Sequence, residues 1–496
     1  MLTRRFFIGG AFAFGAFLRE PAFAALSDFA TRKRGKVRFG VVSDIHVSLS
    51  LKDGKTIGKG AVNALRRAFE AFRDAQVDAV VIPGDLAMFG TVAELKTIAN
   101  VWNEVFPNGR RPDGEKVERV FVMGNHDSEG WLYNKFAETF IPDESVRRDQ
   151  LLAYDVKRHW RETFDEEFAD FSIKTVKGHA FVQAHWRGPL GKRLCVGGTH
   201  DCLRGVKAFY EAKRAVFDPK RPFFHVQHPT PKNTCFGAVC WGRDTGETGQ
   251  ALAEFPQAIA LSGHSHYSVA DERAIWQGAY TSVSCGTLVS PSRDPIRAGL
   301  WPSGKKSGDP FSFENRGKDK GPMGLVEGNG EGTSGLIVDV YDDNVRISRL
   351  NLPHGTTPLG DDWVVPLAAE RPFAYALRAK KAIVPEFPKG AKVTVAAAVA
   401  STGPLKGKNV VSICFPKADA AKGARVYEYA VTVVRPNGER QEKHVLAPGY
   451  NGPVDGKHAN IPPHCELALE SVPDWEKCRF EVRALECFGK AGQAIF

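Results

Sequence analysis

The sequence predicts a layered α/β domain followed by a smaller all-β domain. From residue 36 onward, short apolar runs alternate with amphipathic stretches of helical period, as strands and helices do in an α/β fold. After about residue 379 the chain changes to short strand-like runs separated by Gly, Pro and Asn turns. At 496 residues it is also too long for one compact unit, since domains hold about 100 to 200 residues each. We expect an α/β domain over residues 36–351, a Pro-rich linker over 352–378 and the all-β domain over 379–496.

The elements of the α/β domain are predicted from the period of their apolar residues. Residues 37–42 and 79–82 are continuous apolar runs, as expected for strands that are buried on both faces. Between them, residues 61–73 place apolar side chains at helical spacing, and residues 93–106 do the same after the second strand. Further strands are predicted at residues 117–123, 221–226, 258–261, 280–284, 335–341 and 345–350.

Two segments interrupt this alternation. Residues 128–179 are rich in aromatic and charged residues and carry helical signals without a strand-like apolar run, so we interpret them as an inserted cap. Residues 290–334 are dense in Gly, Pro, Lys and Ser, which predicts a long loop. Either segment could border a substrate cleft, and the second could equally be a decorative insertion.

The C-terminal part is predicted to form a β-sandwich. Its strand-like runs lie at residues 392–398, 410–414, 425–434 and 479–484, separated by turn residues. Short strands at such intervals are typical of immunoglobulin or fibronectin type III domains.

The N-terminus carries the pattern of an export signal. Thr3-Arg4-Arg5 precedes a moderately apolar stretch, and Ala22-Phe23-Ala24 supplies the small residues of a cleavage site. The paired arginines resemble a twin-arginine signal. The alternative is a membrane anchor, but Arg19 and Glu20 end the apolar run short of the ~20 residues that a span needs. We expect residues 1–24 to direct export to the periplasm or the exterior, and the mature chain to have no transmembrane segment.

The overall composition is that of a globular protein with an excess of basic residues. Hydrophobic residues make up 43% and charged residues 25%, which argues against wholesale disorder and against a multi-span membrane protein. The net charge of +10 is spread widely, and no basic stripe interleaved with aromatics indicates a nucleic-acid module. The nine cysteines are scattered and odd in number. Cys235 with Cys240, or pairs among Cys465, Cys478 and Cys487, could form disulfides, and buried free thiols are the other interpretation.

Five short motifs each lie just after a predicted strand. They are Ser43-Asp44-Ile45-His46, Pro83-Gly84-Asp85, Gly124-Asn125-His126-Asp127, Gln227-His228-Pro229 and Ser262-Gly263-His264-Ser265-His266. Because the carboxyl ends of strands in an α/β sheet face one crevice, residues distant in sequence would meet at one edge. Asp, Asn and His are metal-ligand types, and the alternate spacing of Asp44 and His46 lets both side chains leave one face of an extended segment. Two divalent ions need a bridging carboxylate with additional nitrogen and oxygen ligands, which these motifs together supply.

Taken in this order, the five motifs resemble the signature of calcineurin-like metallophosphoesterases over roughly residues 36 to 350. The resemblance implies a four-layer αββα sandwich and a hydrolase of phosphomonoesters or phosphodiesters, with a metal-bridging hydroxide as nucleophile. It also implies two sets of metal ligands, one of Asp44, His46, Asp85 and His266, the other of Asp85, Asn125, His228 and His264. Asp85 would then bridge the two ions.

The same resemblance implies roles for the two residues after Asn125. His126 would lie beside the leaving group and protonate or hydrogen-bond the departing oxygen. Asp127 would orient nearby groups, with helix capping or a local turn as the alternative. One departure concerns Met88, which stands where the purple acid phosphatase branch has a tyrosine that binds ferric iron. A ferric site of that kind is therefore doubtful, and Mn, Fe and Zn all remain possible.

Substrate contacts are less sharply indicated. His200, Asn233 and Thr234 lie near predicted strand ends and could touch the phosphate or the leaving group, but loop hydrogen bonding explains them equally well. Trp186 could stack on a substrate ring, and core packing is its other interpretation. The alternative function is an envelope-binding protein whose C-terminal sandwich engages a glycan or a protein, with the phosphoesterase fold as a scaffold.

Overall fold

The computed structural model of the protein describes residue 29 and residues 32–128, 155–187, 202–237, 244–289, 332–352, 355–401, 405–419, 425–453 and 461–496. The predicted export signal, parts of both predicted insertions and His200 lie outside these residues.

The α/β domain is built on two sheets of six strands each. Its strands are β1 (Val37–Val41), β2 (Ala79–Pro83), β3 (Glu118–Val122), β4 (Phe171–Val176), β5 (His179–Ala184), β6 (Phe223–Gln227), β7 (Ala258–Ser262), β8 (Ile275–Gln277), β9 (Thr281–Ser284), β10 (Gly335–Val340), β11 (Asn344–Leu350) and β12 (Trp363–Pro366). The first sheet has the order β12-β11-β10-β1-β2-β3, and the second has the order β4-β5-β6-β7-β9-β8. The pairs β1–β2 and β2–β3 of the first sheet are parallel, as are β5–β6, β6–β7 and β7–β9 of the second. The remaining pairings are antiparallel.

The two sheets pack face to face between layers of helices. Helices α1 (Lys59–Asp74), α2 (Val92–Val105) and α3 (Val156–Phe164) cover the first sheet, and α4 (Val206–Lys213) and α5 (Glu247–Leu252) cover the second. Alternation along β2 shows the layering, because Val81 lies in the core between the sheets whereas Val80 and Ile82 pack against the helices. The α-β-β-α order confirms the predicted four-layer sandwich.

A capping box at the start of α2 also fastens the loops beside it. Thr91 accepts the backbone N–H of Glu94, and the Glu94 carboxylate accepts the backbone N–H of Thr91. The same buried carboxylate accepts the N–H groups of Leu49 and Phe89. Glu94 therefore ties together the two loops that follow β1 and β2.

The structure adds several elements that the sequence expectation lacked, and two of the added strands lie in segments for which we expected other structure. Residues 171–176, which we expected within the inserted cap, form β4 and pair with β5 at the edge of the second sheet. The sequence of β4 lacks the apolar run that marks a central strand, because most of its side chains are only half-buried at the sheet edge. Likewise, β12 lies within the expected linker and pairs with β11, because Trp363 and Val365 are buried in the core between the sheets.

The C-terminal region, residues 375–496, contains two three-stranded antiparallel sheets, one short α-helix and two 3-10 turns among the described residues. The elements are α6 (Tyr375–Lys381), β13 (Thr394–Val399), β14 (Asn409–Cys414), β15 (Glu428–Val434), β16 (Arg440–Leu446), β17 (His464–Ala468) and β18 (Arg479–Leu485). The sheets have the orders β13-β14-β17 and β16-β15-β18 and share one hydrophobic core. An all-β region is thus confirmed. The immunoglobulin or fibronectin character stays a prediction.

Two further findings concern membrane spans and thiols. Within the described ranges, the helices are too short or too polar to traverse a lipid bilayer. Cys465, Cys478 and Cys487 are free thiols, so the suggested disulfides among these three are not formed. Cys240 lies outside the described residues.

Candidate metal centre

The five motifs all follow the carboxyl ends of strands in the parallel parts of the two sheets. Asp44 follows β1, Asp85 follows β2, Asn125 follows β3, His228 follows β6 and His264 follows β7. Within each sheet these strands are parallel, so their carboxyl ends lie at one edge. The edges of the two sheets meet, and the side chains of the motifs come together there.

One group of possible ligands comprises Asp44, His46, Asp85 and His266, whose ligand atoms all lie within 4.8 Å of one another. The Nε2 atom of His266 is 3.0 Å from Oδ1 of Asp44 and 3.2 Å from Nε2 of His46. The latter atom is 3.8 Å from Oδ2 of Asp85. This arrangement of two carboxylates and two imidazoles could hold a divalent metal ion.

A second group shares Asp85 with the first and adds His228 and His264. The Nε2 atom of His228 lies 3.1 Å from Oδ2 of Asp85, 3.1 Å from Nδ1 of His264 and 3.1 Å from Oδ1 of Asn125. Asn125 therefore joins this group as an oxygen donor. Two groups with one common carboxylate suit a pair of metal ions.

The chemistry of the donors fits a bound cation. Ring nitrogens of His228 and His264 face each other at 3.1 Å, and those of His46 and His266 at 3.2 Å. Two nitrogen lone pairs at such distances repel each other unless a proton lies between them or both bind a metal ion. The second ring nitrogen of His228 is held by a buried backbone group, since the carbonyl of Pro83 accepts from Nδ1 of His228 at 2.8 Å.

Burial and charge set the protonation of these groups. Burial lowers the pKa of His46 and of His264 to about 3, so both rings are neutral and can donate lone pairs. Burial alone would raise the pKa of Asp85, but the imidazoles of His228 and His126 hold it well below its usual range. His228 behaves in the opposite way, because the Asp85 carboxylate raises its pKa to about 9 against the effect of burial. The centre thus contains two buried carboxylates, Asp44 and Asp85, whose negative charge is stabilised by a bound cation.

The backbone at these positions is held in an unusual conformation. The φ angles are 52° at Asp44, 49° at His46, 52° at Asp85, 67° at His264 and 57° at His266. Left-handed φ is uncommon outside glycine and costs conformational energy, so it persists only where the surroundings enforce it. The backbone N–H groups of Ile45 and His46 donate to the carbonyl of Asp85, which couples the first two motifs.

Two glycines leave the room that the carboxylates occupy. A Cβ atom at Gly124 would lie 2.1 Å from Oδ1 of Asp85, and one at Gly263 would lie 2.4 Å from Oδ2 of Asp44. Any side chain there would displace a possible ligand.

His126 lies at the partly exposed rim of the centre. Its Nδ1 atom is 2.9 Å from the carbonyl of Met88, and since a carbonyl can only accept, Nδ1 carries the hydrogen. Its backbone N–H donates to Oδ1 of Asp85 at 2.9 Å. The ring packs edge-on against His46 with 4.7 Å between centroids. Nε2 is therefore the nitrogen that can serve a substrate.

Asp127 lies beneath the centre and not at its surface. Its buried carboxylate accepts the backbone N–H groups of Leu86, Ala87 and Gly124 at 3.2, 2.8 and 2.9 Å. Burial, together with the nearby Asp85, raises the pKa of Asp127 to about 7. The structure thus places Asp127 where it positions the turns that carry Asp85 and Asn125.

Among the described residues, no hydrogen bond or ion pair joins the suggested substrate contacts Asn233 and Thr234 to the metal centre. Thr234 is buried, and its hydroxyl donates to the carbonyl of Pro231 at 2.7 Å. Asn233 is exposed with a φ of 61°, as in a turn. His200 lies outside the described residues. Trp186 is 4% exposed and packs its ring 5.9 Å from that of His264, which supports core packing.

Sequence reasoning missed a buried polar chain behind His228. The Tyr210 hydroxyl lies 2.9 Å from Nδ1 of His225, whose Nε2 is 2.8 Å from Oε1 of Gln227. The Gln227 amide donates to the carbonyl of Pro229 at 2.6 Å, and the Thr248 hydroxyl donates to Gln227 at 3.0 Å. The available signal was two polar residues, His225 and Gln227, in an otherwise apolar strand.

Comparison with solved structures gives several weak likenesses. A conserved uncharacterized protein of Streptococcus pneumoniae TIGR4, a predicted phosphoesterase, is 13% identical with a TM-score of 0.28, over 66% of this chain and 97% of that one. A purple acid phosphatase from seeds of yellow lupin (Lupinus luteus) is 11% identical with a TM-score of 0.38, over 68% of this chain and 56% of that one. The NAD nucleotidase of Haemophilus influenzae is 11% identical with a TM-score of 0.28, over 66% and 49%. The chain thus spans about half the length of the last two proteins.

None of the curated proteins compared with the chain matches it. The sequence model of the calcineurin-like phosphoesterase family does match, over residues 37–268. That range contains all five motifs and the two ligand groups that share Asp85. Residues 37–268 are therefore a calcineurin-like phosphoesterase domain, and the ligand groups in it fit a metal-dependent hydrolase of phosphoric esters.

Proposed function

We propose that the protein is an exported hydrolase of phosphomonoesters or phosphodiesters that works with two divalent metal ions. The observation that carries the proposal is the pair of ligand groups with Asp85 in common. In this assignment Asp44, His46, Asp85 and His266 hold one ion, and Asp85, Asn125, His228 and His264 hold the other. When bound, the ions would neutralise charge on the phosphoryl oxygens and lower the pKa of water, and the N and O donor set is compatible with Mn, Fe or Zn.

The residues of the chain supply position and proton transfer. Asp44 and Asp85 place two negative charges side by side in a buried position. Their attraction for a divalent cation offsets the free energy that the cation loses when its hydration shell is removed. His126 is proposed to donate a proton, or a hydrogen bond, from Nε2 to the departing oxygen. It does so as the doubly protonated ring, because Nδ1 already carries the hydrogen bound to the Met88 carbonyl. The Met88 carbonyl supports that role because it fixes the ring orientation through Nδ1.

The experiment that tests this function is hydrolysis by metal-stripped protein to which Mn, Zn and Fe are added back separately. A chromogenic phosphomonoester and a phosphodiester are compared, with metal content measured alongside. We expect metal-dependent turnover by the wild type and none by Asp85→Asn, which keeps the shape of the side chain but removes its charge. Full activity in Asp85→Asn would overturn the assignment.

Export is a separate part of the proposal. It is supported by Arg4-Arg5, the apolar stretch behind them and the Ala22-Phe23-Ala24 site. Cell fractionation in a host with a twin-arginine system should place the wild type outside the cytoplasm and retain the variant in which Arg4 and Arg5 are both Lys. Equal export of the two would contradict this route.

A further inference from the structure

The segment that follows His266 is the place where the α/β domain meets the C-terminal region. The Ser268 hydroxyl donates to the backbone carbonyl of Asn451 at 3.2 Å. Trp276, at the other end of the segment, packs against the core between the sheets and also against the core of the C-terminal region. The ten residues after a candidate metal ligand thus form a domain interface.

Arg273 lies at the middle of this interface and is fully buried. Its guanidinium donates to both carboxylate oxygens of Asp271, at 3.1 and 2.8 Å. The face of the Tyr427 ring, which belongs to the C-terminal region, lies 4.4 Å from the guanidinium carbon. A buried ion pair covered by an aromatic ring excludes water and is costly to open, because separation would leave the charges unpaired.

Tyr375 connects the C-terminal region to the loop that begins at His228, a second candidate metal ligand. Its buried hydroxyl donates to the carbonyl of Arg273 and accepts the backbone N–H of Phe236 at 3.1 Å. Phe236 lies in the loop that begins at His228. One hydroxyl of the C-terminal region therefore holds both the loop of His228 and the segment behind His266.

A second, partly buried ion cluster strengthens the same contact. Glu272 accepts from Arg349 at 2.7 Å and from the Trp363 indole at 3.1 Å, and it also pairs with Arg378 of α6. Arg349 and Trp363 belong to the first sheet. The interface is accordingly continuous with the catalytic core and unlike that of a domain on a flexible tether.

We propose that the C-terminal region positions the loops of His228, His264 and His266. Metal binding at these loops and docking of the C-terminal region against the α/β domain are then coupled. The inference rests on the proposed metal-dependent function. Coupling between two sites is reciprocal, so metal ions should tighten the interface by the same factor by which an intact interface tightens metal binding. Tyr427, Tyr375 and Arg273 are positioning residues, since none of them touches the metal centre.

Two thiols of the C-terminal region report on this coupling in the full-length protein. Cys487 is buried at the interface, where Asp271 and Arg273 lie near enough to influence its thiol. Cys465 is equally buried but lies in β17, inside the core of the C-terminal region. Burial raises the pKa of both thiols, so each reacts with iodoacetamide only when its surroundings open.

The first measurement is the rate of alkylation of each cysteine, followed by peptide mass spectrometry, in metal-stripped and Mn-loaded protein. We expect Mn to slow the labelling of Cys487 by at least about 5-fold, the lower end of typical coupling between sites, and to change Cys465 much less. In Asp85→Asn the effect of Mn on Cys487 should vanish. Equal responses of the two thiols, or no effect of Mn on Cys487 in protein that binds Mn, would overturn the inference.

The second measurement uses Tyr427→Leu, which removes the ring face over Arg273, with Tyr427→Phe as the matched control. In Tyr427→Leu the alkylation rate of Cys487 should rise and Mn should bind about 5-fold more weakly, while the alkylation of Cys465 stays slow. The phenylalanine variant keeps the ring face and loses only the hydroxyl that bonds Arg273, so it should change both quantities less than Tyr427→Leu does. Faster labelling of Cys487 with unchanged Mn affinity would overturn the coupling. If the wild type bound no metal and hydrolysed no ester, the proposed function itself would fail.

Discussion

The carboxylate of Asp127 accepts the backbone N–H of Ala87, two residues beyond Asp85, at 2.8 Å. It also accepts the N–H groups of Leu86 and of Gly124. A single buried side chain thereby fixes the turn after β2 relative to the turn after β3. The metal centre depends on this kind of support, because its ligands come from turns whose backbones are strained.

Asp127→Ala should reduce both stability and metal binding. The variant leaves three buried N–H groups without their acceptor, and each such loss costs about 1–3 kcal/mol when no water replaces it. We expect a lower midpoint of urea unfolding and a higher dissociation constant for Mn. Asp53→Ala is the control, since the N–H groups that Asp53 accepts belong to its own exposed turn, at Lys55 and Thr56. Unchanged Mn binding in Asp127→Ala would contradict the positioning role.

Gln227→Met should weaken the metal centre without contact to the metal. The amide of Gln227 holds the carbonyl of Pro229 at 2.6 Å and so shapes the turn on which His228 lies. Residues that orient metal ligands typically change affinity or activity by about 10- to 100-fold, and we expect a loss near the lower value. Metal titration and kcat/KM are the measurements. Tyr210→Phe, which alters only the far end of the chain, should lose much less, and an equal loss in both variants would argue for general destabilisation.

Gly124→Ala should abolish the centre although it adds one methyl group. The new Cβ would fall 2.1 Å from Oδ1 of Asp85, well inside contact distance, so the carboxylate or the turn must move. Metal content and turnover should both fall to background. Gly60→Ala is the matched control: it lies in α1 with no neighbour within 4 Å of its Cβ position, and it should be neutral or slightly stabilising. A metal-loaded, active Gly124→Ala protein would refute the geometry.

Glu272 should make stability depend on acidic pH. Burial alone would raise its pKa, but Arg349 and Arg378 lower it to about 2. A carboxylate with a lowered folded-state pKa stabilises the protein fully above its unfolded pKa of about 4.3, and that contribution is lost as pH falls towards 2. Between about pH 5 and pH 2, which spans the two pKa values, the free energy of unfolding should fall more steeply in the wild type than in Glu272→Gln. Equal slopes in denaturant titrations would contradict this role.

Much of the fold is local in origin and was predicted for that reason. Continuous apolar runs such as those of β1 and β2 show which strands are buried on both faces, whatever their partners. By contrast, β4 and β12 are edge strands whose side chains are partly exposed, so their sequences carry little period. Their pairing partners decided their conformation.

By itself, the sequence determined that Asp, Asn and His residues would follow buried strands, because apolar period and residue type are properties of neighbouring positions. Only the tertiary structure decided which of these side chains meet, since Asp44 and His266 are brought to 3.0 Å by strands of two different sheets. It also decided that Arg273 lies under Tyr427, a contact between distant parts of the chain. Contacts of this kind arise from the packing of whole layers, and no local pattern in the chain encodes them.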